Sequence, residues 1–297
     1  MLKTFKRFKE FIASKKAPVP IADYYPSHGS HSQEKAPVAD YTPSHGKHSI
    51  KEEAKEIDHW DFLRQNPNKK IHPDNQGVHE KLNPSKEKWN KLKPDEREAV
   101  KQYTGSSFAS NKELIDSAHG RPSNFDHDPN DDQVTKNWKD GLKEKHAKIT
   151  KGLDSLLNRA KTPANLTVLH GINATSSKNF NPGEVAGQHP ERHIRMPSYI
   201  STTVDPRTAT EFAKPVTRDE HGKKNTANTH ILRIHLKRGQ SGFKYVGDRS
   251  MLAGENEGIL KRDSVLKVGE HPTIVHHTSG GKIHVWDAHV VDAHPAD

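Results

Sequence analysis

Three short segments in the C-terminal half of the chain hold the residue types best able to do chemistry. Leu166-Thr167-Val168-Leu169-His170-Gly171 is an apolar run that ends in an imidazole and a glycine. Tyr199-Ile200-Ser201-Thr202-Thr203 offers three hydroxyls in a row, and Gly254-Glu255-Asn256-Glu257-Gly258-Ile259-Leu260 sets two glutamates one residue apart. If that last segment is extended, Glu255 and Glu257 point to the same face. Neighbouring carboxylates repel, so such a pair needs a cationic partner or a chemical task. Cysteine is absent, which excludes disulfides, thiol nucleophiles, iron–sulfur clusters and cysteine-ligated zinc. Chemistry must come from Ser, His, Asp, Glu, Lys or a bound cofactor. Each segment is weak alone, because Ser-Thr-Thr is common in strands and Glu-x-Glu is common on solvent faces.

The elements that must position these residues follow from periodicity. From about residue 85 helical patterns appear with proper punctuation: Pro94, Asp95 and Glu96 open a helix that runs through Ala99, Val100 and Tyr103 to Gly105. Ser110 and Glu113 read as a capping box over Leu114 and Ile115, with Gly120 ending that helix. Val134, Trp138 and Leu142, then Leu153, Leu156 and Leu157, describe one long or two consecutive amphipathic helices. The Asp126–Asn130 run fails as a calcium loop, since Asp131 and Asn137 stand where the turn glycine and the bidentate glutamate belong. Beyond Pro163 the period becomes strand-like at Leu166–Leu169, Ile231–Leu236, Val265–Val268, Ile274–Val275 and Ile283–Val285. Asp205 and Pro206 cap a helix containing Ala209, Phe212 and Ala213. Helices first and strands second predict an α+β fold with an antiparallel or mixed sheet, not a βαβ repeat. No Gly-x-Gly-x-x-Gly and no phosphate-binding Gly-Lys-Ser/Thr loop occurs, so neither a Rossmann nor a P-loop nucleotide site is indicated.

The N-terminal part has another character. Leu2, Phe5, Phe8 and Ile12 alternate with Lys3, Lys6, Arg7 and Lys9 as a short basic amphipathic helix. Residues 17–49 contain an imperfect duplication, in which Ala17-Pro18-Val19 and Pro26-Ser27-His28-Gly29 recur as Ala36-Pro37-Val38 and Pro43-Ser44-His45-Gly46. Two copies are too few for a solenoid. A charged stretch from Lys51 to Lys70, with Trp60, Phe62 and Leu63, is expected as one helix. The division expected is a poorly ordered basic, His/Pro-rich segment over 1–84 and a compact domain over 85–297. Hydrophobic residues make up 30% of the 297, below the usual share of a uniformly packed globule. No run approaches the length of a membrane-spanning helix. The formal charge of +9 is interleaved with acidic residues, which argues against a dedicated nucleic-acid face.

In order and spacing the three segments resemble the mono-ADP-ribosyltransferases of the Arg-Ser-Glu class, the phage and bacterial exotoxin type. In that family an Arg-Gly, a Ser-Thr-Ser and a Glu-x-Glu on three strands build one NAD cleft; the counterparts here are His170-Gly171, Ser201-Thr202-Thr203 and Glu255-x-Glu257. Glu98 to Gly105, with Asn111 and Leu114, resembles the family's N-terminal helical element, and the likeness spans about residues 88–290.

The resemblance implies N-terminal helices packed on a two-sheet mixed or antiparallel β core, NAD as the substrate and no metal. Its catalytic residues would be Ser201, Glu255 and Glu257. NAD would be held by His170, Gly171, Ser201, Thr202, Thr203, Phe212 and Glu257. Cleaving the nicotinamide–ribose bond creates an oxocarbenium-like centre, which a carboxylate stabilises; by the family's pattern Glu257 does this and binds the ribose 2′-hydroxyl. Glu255 would orient a guanidinium and take its proton, so the acceptor implied is arginine on a host protein, with the transcription or translation machinery as the expected source. The 245–254 loop would touch that target. His170 departs from the family's phosphate-pairing arginine, and Arg159, Arg192 and Arg195 are the candidates to replace its charge. The alternatives are an NAD glycohydrolase, a degenerate member of the family, or a non-enzymatic basic virion or nucleic-acid-associated protein. The place of action expected is the cytoplasm of the target or infected cell, reached from a phage virion or as a secreted effector.

Overall fold

Helical punctuation and strand alternation both reach the folded chain. The computed structural model describes residues 54–65, 68, 78, 81–105, 107–173, 180–189, 191–218, 224–226 and 228–291. The basic amphipathic segment and the 17–49 duplication lie outside these residues.

Seven helices among the described residues are α1 (His59–Arg64), α2 (Lys86–Asn90), α3 (Pro94–Gly105), α4 (Ser107–Ala118), α5 (Gln133–Arg159), α6 (Pro182–Gly187) and α7 (Pro206–Phe212). The strands are β1 (Glu56–Asp58), β2 (Leu166–Ile172), β3 (His193–Met196), β4 (Ile200–Thr203), β5 (Val216–Arg218), β6 (Lys224–Thr226), β7 (Thr229–Leu236), β8 (Phe243–Tyr245), β9 (Glu257–Leu260), β10 (Ser264–Val268), β11 (Thr273–His276) and β12 (Lys282–Val291). The fold is α+β, as expected. Its strands form one ten-stranded mixed network in the order β1-β11-β12-β7-β2-β4-β9-β8, with β10 and β3 branching from β12, plus a separate β5–β6 pair. The branch arises because the first half of β12 pairs with β11 and its last residues pair with β10.

α5 is a single helix, not two. Asp132 caps it by accepting the Thr135 N–H, and Ile149, Leu153, Leu156 and Leu157 form its buried stripe against Ala99, Val100 and Tyr103 of α3, with Tyr199 and Ile259 below. Burying each such large side chain contributes about 1.5–3 kcal/mol, so this stripe fixes the helical layer over β4 and β9. A second core joins Phe62, Leu169, Ala209, Ala213, Ile231, Val275, Ile283 and Val285.

Two local expectations are corrected. In its described part the 51–70 stretch opens with β1, paired in parallel with β11, and α1 follows with Asp58 as its N-cap. Phe62 belongs to the second core, so these residues, upstream of the boundary expected at residue 85, are part of the fold. Ser110 does not cap a helix either. It lies inside α4, buried, with its hydroxyl 2.7 Å from His146 Nδ1. A partner 36 residues away has taken the hydroxyl that the local pattern assigns to a cap.

Candidate active site

The three chemical segments become neighbours. β4 lies between β2 and β9: Leu169 pairs with Thr203, and Thr203 with Glu257. His170, Ser201 and Glu257, separated by dozens of residues in the chain, therefore meet at one end of three adjacent strands.

Glu257 opens β9 and is 4% exposed. Its Oε2 accepts a hydrogen bond from the Ser250 hydroxyl at 2.8 Å. Burial, helped by the charge of Glu255 and opposed chiefly by the hydrogen bond from Ser250, pushes its carboxyl up to about 7. Such a group is poised near neutrality, where a catalytic carboxylate is most useful.

Ser201 is held from the helical layer. Its hydroxyl donates to the Tyr103 phenol oxygen at 3.2 Å, and the Asn111 amide donates to that same oxygen at 3.1 Å. Tyr103 in turn gives its hydrogen to the Tyr199 carbonyl at 3.3 Å. Tyr103 is 0% exposed, so this junction of α3, α4 and β4 orders the serine without solvent. Thr202 donates to the Gly258 carbonyl at 2.9 Å and Thr203 to the Glu255 carbonyl at 2.7 Å. Thr202 thereby ties β4 to β9, and Thr203 ties β4 to the segment just before β9.

Glu255 departs from the extended geometry expected. It ends a 3-10 turn over Ala253–Glu255, and Asn256 takes φ 51°, ψ 46° before β9 begins. Asn tolerates this left-handed conformation better than most residues. Glu255 is half-buried, and burial raises its carboxyl above the usual range.

His170 is half-buried, and its Nδ1 lies 2.8 Å from the Ser201 carbonyl. A carbonyl only accepts, so Nδ1 carries the hydrogen and Nε2 presents a lone pair. Burial holds the imidazole below the usual histidine range, with the Ser201 contact opposing. Gly171 is required by packing: a Cβ there would lie 2.6 Å from the Ala209 carbonyl oxygen and 2.7 Å from Phe212 Cβ. The strand thus approaches α7 more closely than any side chain allows. Phe212, at the end of α7, is 50% exposed.

The candidate replacement cations are otherwise engaged. Arg159 chelates buried Glu96, Arg192 donates to the Val268 and Gly269 carbonyls, and Arg195 pairs with Asp263. The chain's own residues nevertheless suit a ribosyl group beside a cationic leaving ring: a buried carboxylate for charge and hydroxyl, flanked by serines and a neutral imidazole. Among the described residues no group of three or more His, Asp or Glu is placed to hold a metal ion, and no helix is long and apolar enough to cross a membrane.

The model of the ADP-ribosyltransferase exoenzyme family matches residues 80–291. The chain belongs to that family. This ADP-ribosyltransferase is similar in fold to Plx2a, an ADP-ribosyltransferase toxin from Paenibacillus larvae, at 16% identity over 73% of this chain and 94% of that one, with a TM-score of 0.49. It is also similar to the ADP-ribosylating toxin BECa of a binary enterotoxin of C. perfringens, solved with NADH, at 18% identity over 73% of this chain and 49% of that one, TM-score 0.50. C3stau2 from S. aureus, solved with NAD, aligns at 18% identity over 73% and 95%, TM-score 0.46. No curated protein matches the chain by sequence. The family membership makes the protein an exotoxin-type mono-ADP-ribosyltransferase and sets aside the non-enzymatic reading.

Ser250, Tyr103 and Asn111 belong to this ADP-ribosyltransferase's site as much as the segments read from sequence. Tyr103 and Asn111 fall in the helical element whose resemblance to the family is visible in the sequence. Ser250 carries no signal beyond its place in the loop before Glu255.

Proposed function

We propose that the protein transfers ADP-ribose from NAD to an arginine of a target protein, releasing nicotinamide. The observation that carries this reading is the buried Glu257 held by the Ser250 hydroxyl, with the second carboxylate of Glu255 close enough to raise it. Glu257, ionised, stabilises the positive charge that develops on the ribose as the bond to nicotinamide breaks, and accepts the 2′-hydroxyl. Ser201, ordered by Tyr103 of α3, holds the nicotinamide ribose. Glu255, its carboxyl raised by burial, orients the incoming guanidinium and takes the proton it loses as the new nitrogen–carbon bond forms. His170, neutral, offers Nε2 as an acceptor and does not supply the charge that pairs with phosphate. Gly171 and Phe212 line the α7 side. The 245–254 loop meets the target.

In this reading the enzyme works in the cytoplasm of a target or infected cell, carried in a phage virion or delivered as a secreted effector, on a protein of the transcription or translation machinery. Labelled NAD with host lysate tests it. Glu257→Ala abolishes labelling, and Glu255→Gln removes arginine labelling while nicotinamide release continues. Nicotinamide release with no labelled protein in the wild type would make it an NAD glycohydrolase.

A further inference from the structure

The turn before Glu255 is built around one hydroxyl. Ser250 follows the 3-10 turn Gly247–Arg249, and its N–H donates to the Gly247 carbonyl at 3.0 Å. Its Oγ accepts the Leu252 N–H at 3.1 Å and donates to Glu257 Oε2 at 2.8 Å. A serine hydroxyl has one hydrogen. With the Leu252 amide occupying a lone pair, that hydrogen is aimed at the carboxylate.

The turn is pinned on both sides of Ser250. Asn83 and Asp248 exchange two hydrogen bonds, Asn83 Nδ2 to Asp248 Oδ2 at 2.5 Å and Asp248 N to Asn83 Oδ1 at 3.2 Å. The Met251 N–H donates to Thr104 Oγ1, at the end of α3, at 2.9 Å. The side chains at and just after the second anchor face outward, Met251 at 62% and Leu252 at 50% exposure. The amides of the two outward-facing residues are therefore the ones that fix the turn and orient the Ser250 hydroxyl.

We propose that Ser250 is a positioning residue that transmits the geometry of the 247–256 turn to Glu257, stabilising its ionised form. This rests on Glu257 acting as the carboxylate of NAD cleavage. A hydrogen bond donated to a carboxylate favours the charged form, and losing it in a buried site disfavours that form further. The effect has a direction that loss of packing does not: activity falls in acid and neutral solution and recovers in base.

The test is the pH dependence of nicotinamide release by the full chain. For Ser250→Ala the acid limb moves up by about one pH unit. With Glu257 titrating near 7, that is a loss of about fivefold at pH 7 and almost none at pH 9. Ser250→Thr, which keeps a hydroxyl, restores the wild-type limb, and Thr104→Val moves it part of the way. An unshifted limb in Ser250→Ala, or an equal loss at every pH, overturns the proposal. The carboxyl titration of Glu257 by 13C NMR reads the same shift independently of turnover. If the wild type released no nicotinamide, the functional reading would fail while the NMR shift still decided the role of Ser250.

Discussion

His170 donates its Nδ1 hydrogen to the carbonyl of Ser201, 2.8 Å away across β2 and β4. The bond fixes the tautomer and keeps a neutral imidazole where the family's pattern has a guanidinium. Burial lowers the His170 pKa from its usual value, so it gains no charge at neutral pH. His170→Arg is expected to weaken NAD binding, because a guanidinium cannot discard its proton and its longer stem cannot keep the bond to Ser201. His170→Asn, which can place an amide N–H where Nδ1 stands, keeps stability, whereas His170→Leu lowers it by about 1 kcal/mol. Calorimetric NAD affinity and urea midpoints read both effects; tighter binding by the arginine variant would show that the histidine is a weak substitute for it.

Gly171 ties the site to α7. An added Cβ would lie 2.6 Å from the Ala209 carbonyl oxygen, which is backbone and cannot rotate away. Gly171→Ala should cost about 1–3 kcal/mol, the usual penalty of overpacking a filled site, and displace Phe212. A urea midpoint for the alanine variant equal to that of the wild type would show that α7 yields without cost.

Much of this was legible in the sequence, because strand alternation and motif order are local signals while adjacency follows from them. The apolar run before His170, the hydroxyls at 201–203 and the glutamates at 255 and 257 lie on, or beside the start of, β2, β4 and β9. What escaped depends on contacts across the chain. The 3-10 turn and left-handed Asn256 that break the extended reading of Glu255 are set by a loop pinned to Asn83 and Thr104. Ser110 was legible as a cap until His146 claimed it, and no periodicity announces that Ser250 reaches back from a turn to Glu257.

Arg159 separates a structural cation from a substrate-binding one. It chelates Glu96, a fully buried carboxylate that also accepts from Ser155 at 2.7 Å and from the Lys93 N–H at 3.0 Å. Breaking a buried pair costs about 3–5 kcal/mol, but the Arg159 side chain is 46% exposed, so solvent screening reduces the expected loss to about 1–3 kcal/mol. Arg159→Met should therefore lower the urea midpoint and leave the KM for NAD of the folded enzyme unchanged. A raised KM at full stability would instead make Arg159 a phosphate contact.

Acid sensitivity of the fold should come in part from His230. This residue, 3% exposed, accepts the Trp286 indole N–H at Nδ1 at 3.2 Å, and burial, with His284 nearby, lowers its pKa to about 4. The unfolded chain takes up a proton near pH 6.5, whereas the folded chain does so only near 4. Between those values the unfolded state binds more protons, so stability falls as pH falls through that window and is fully present above it. The loss attributable to His230 approaches about 3 kcal/mol by the bottom of the window. His230→Gln, which keeps a polar acceptor for Trp286 but cannot titrate, should be less stable at pH 7 and lose less between pH 6.5 and 4.5. Thermal midpoints of both proteins over that range measure the difference in slope, and parallel curves would assign the acid sensitivity to other groups.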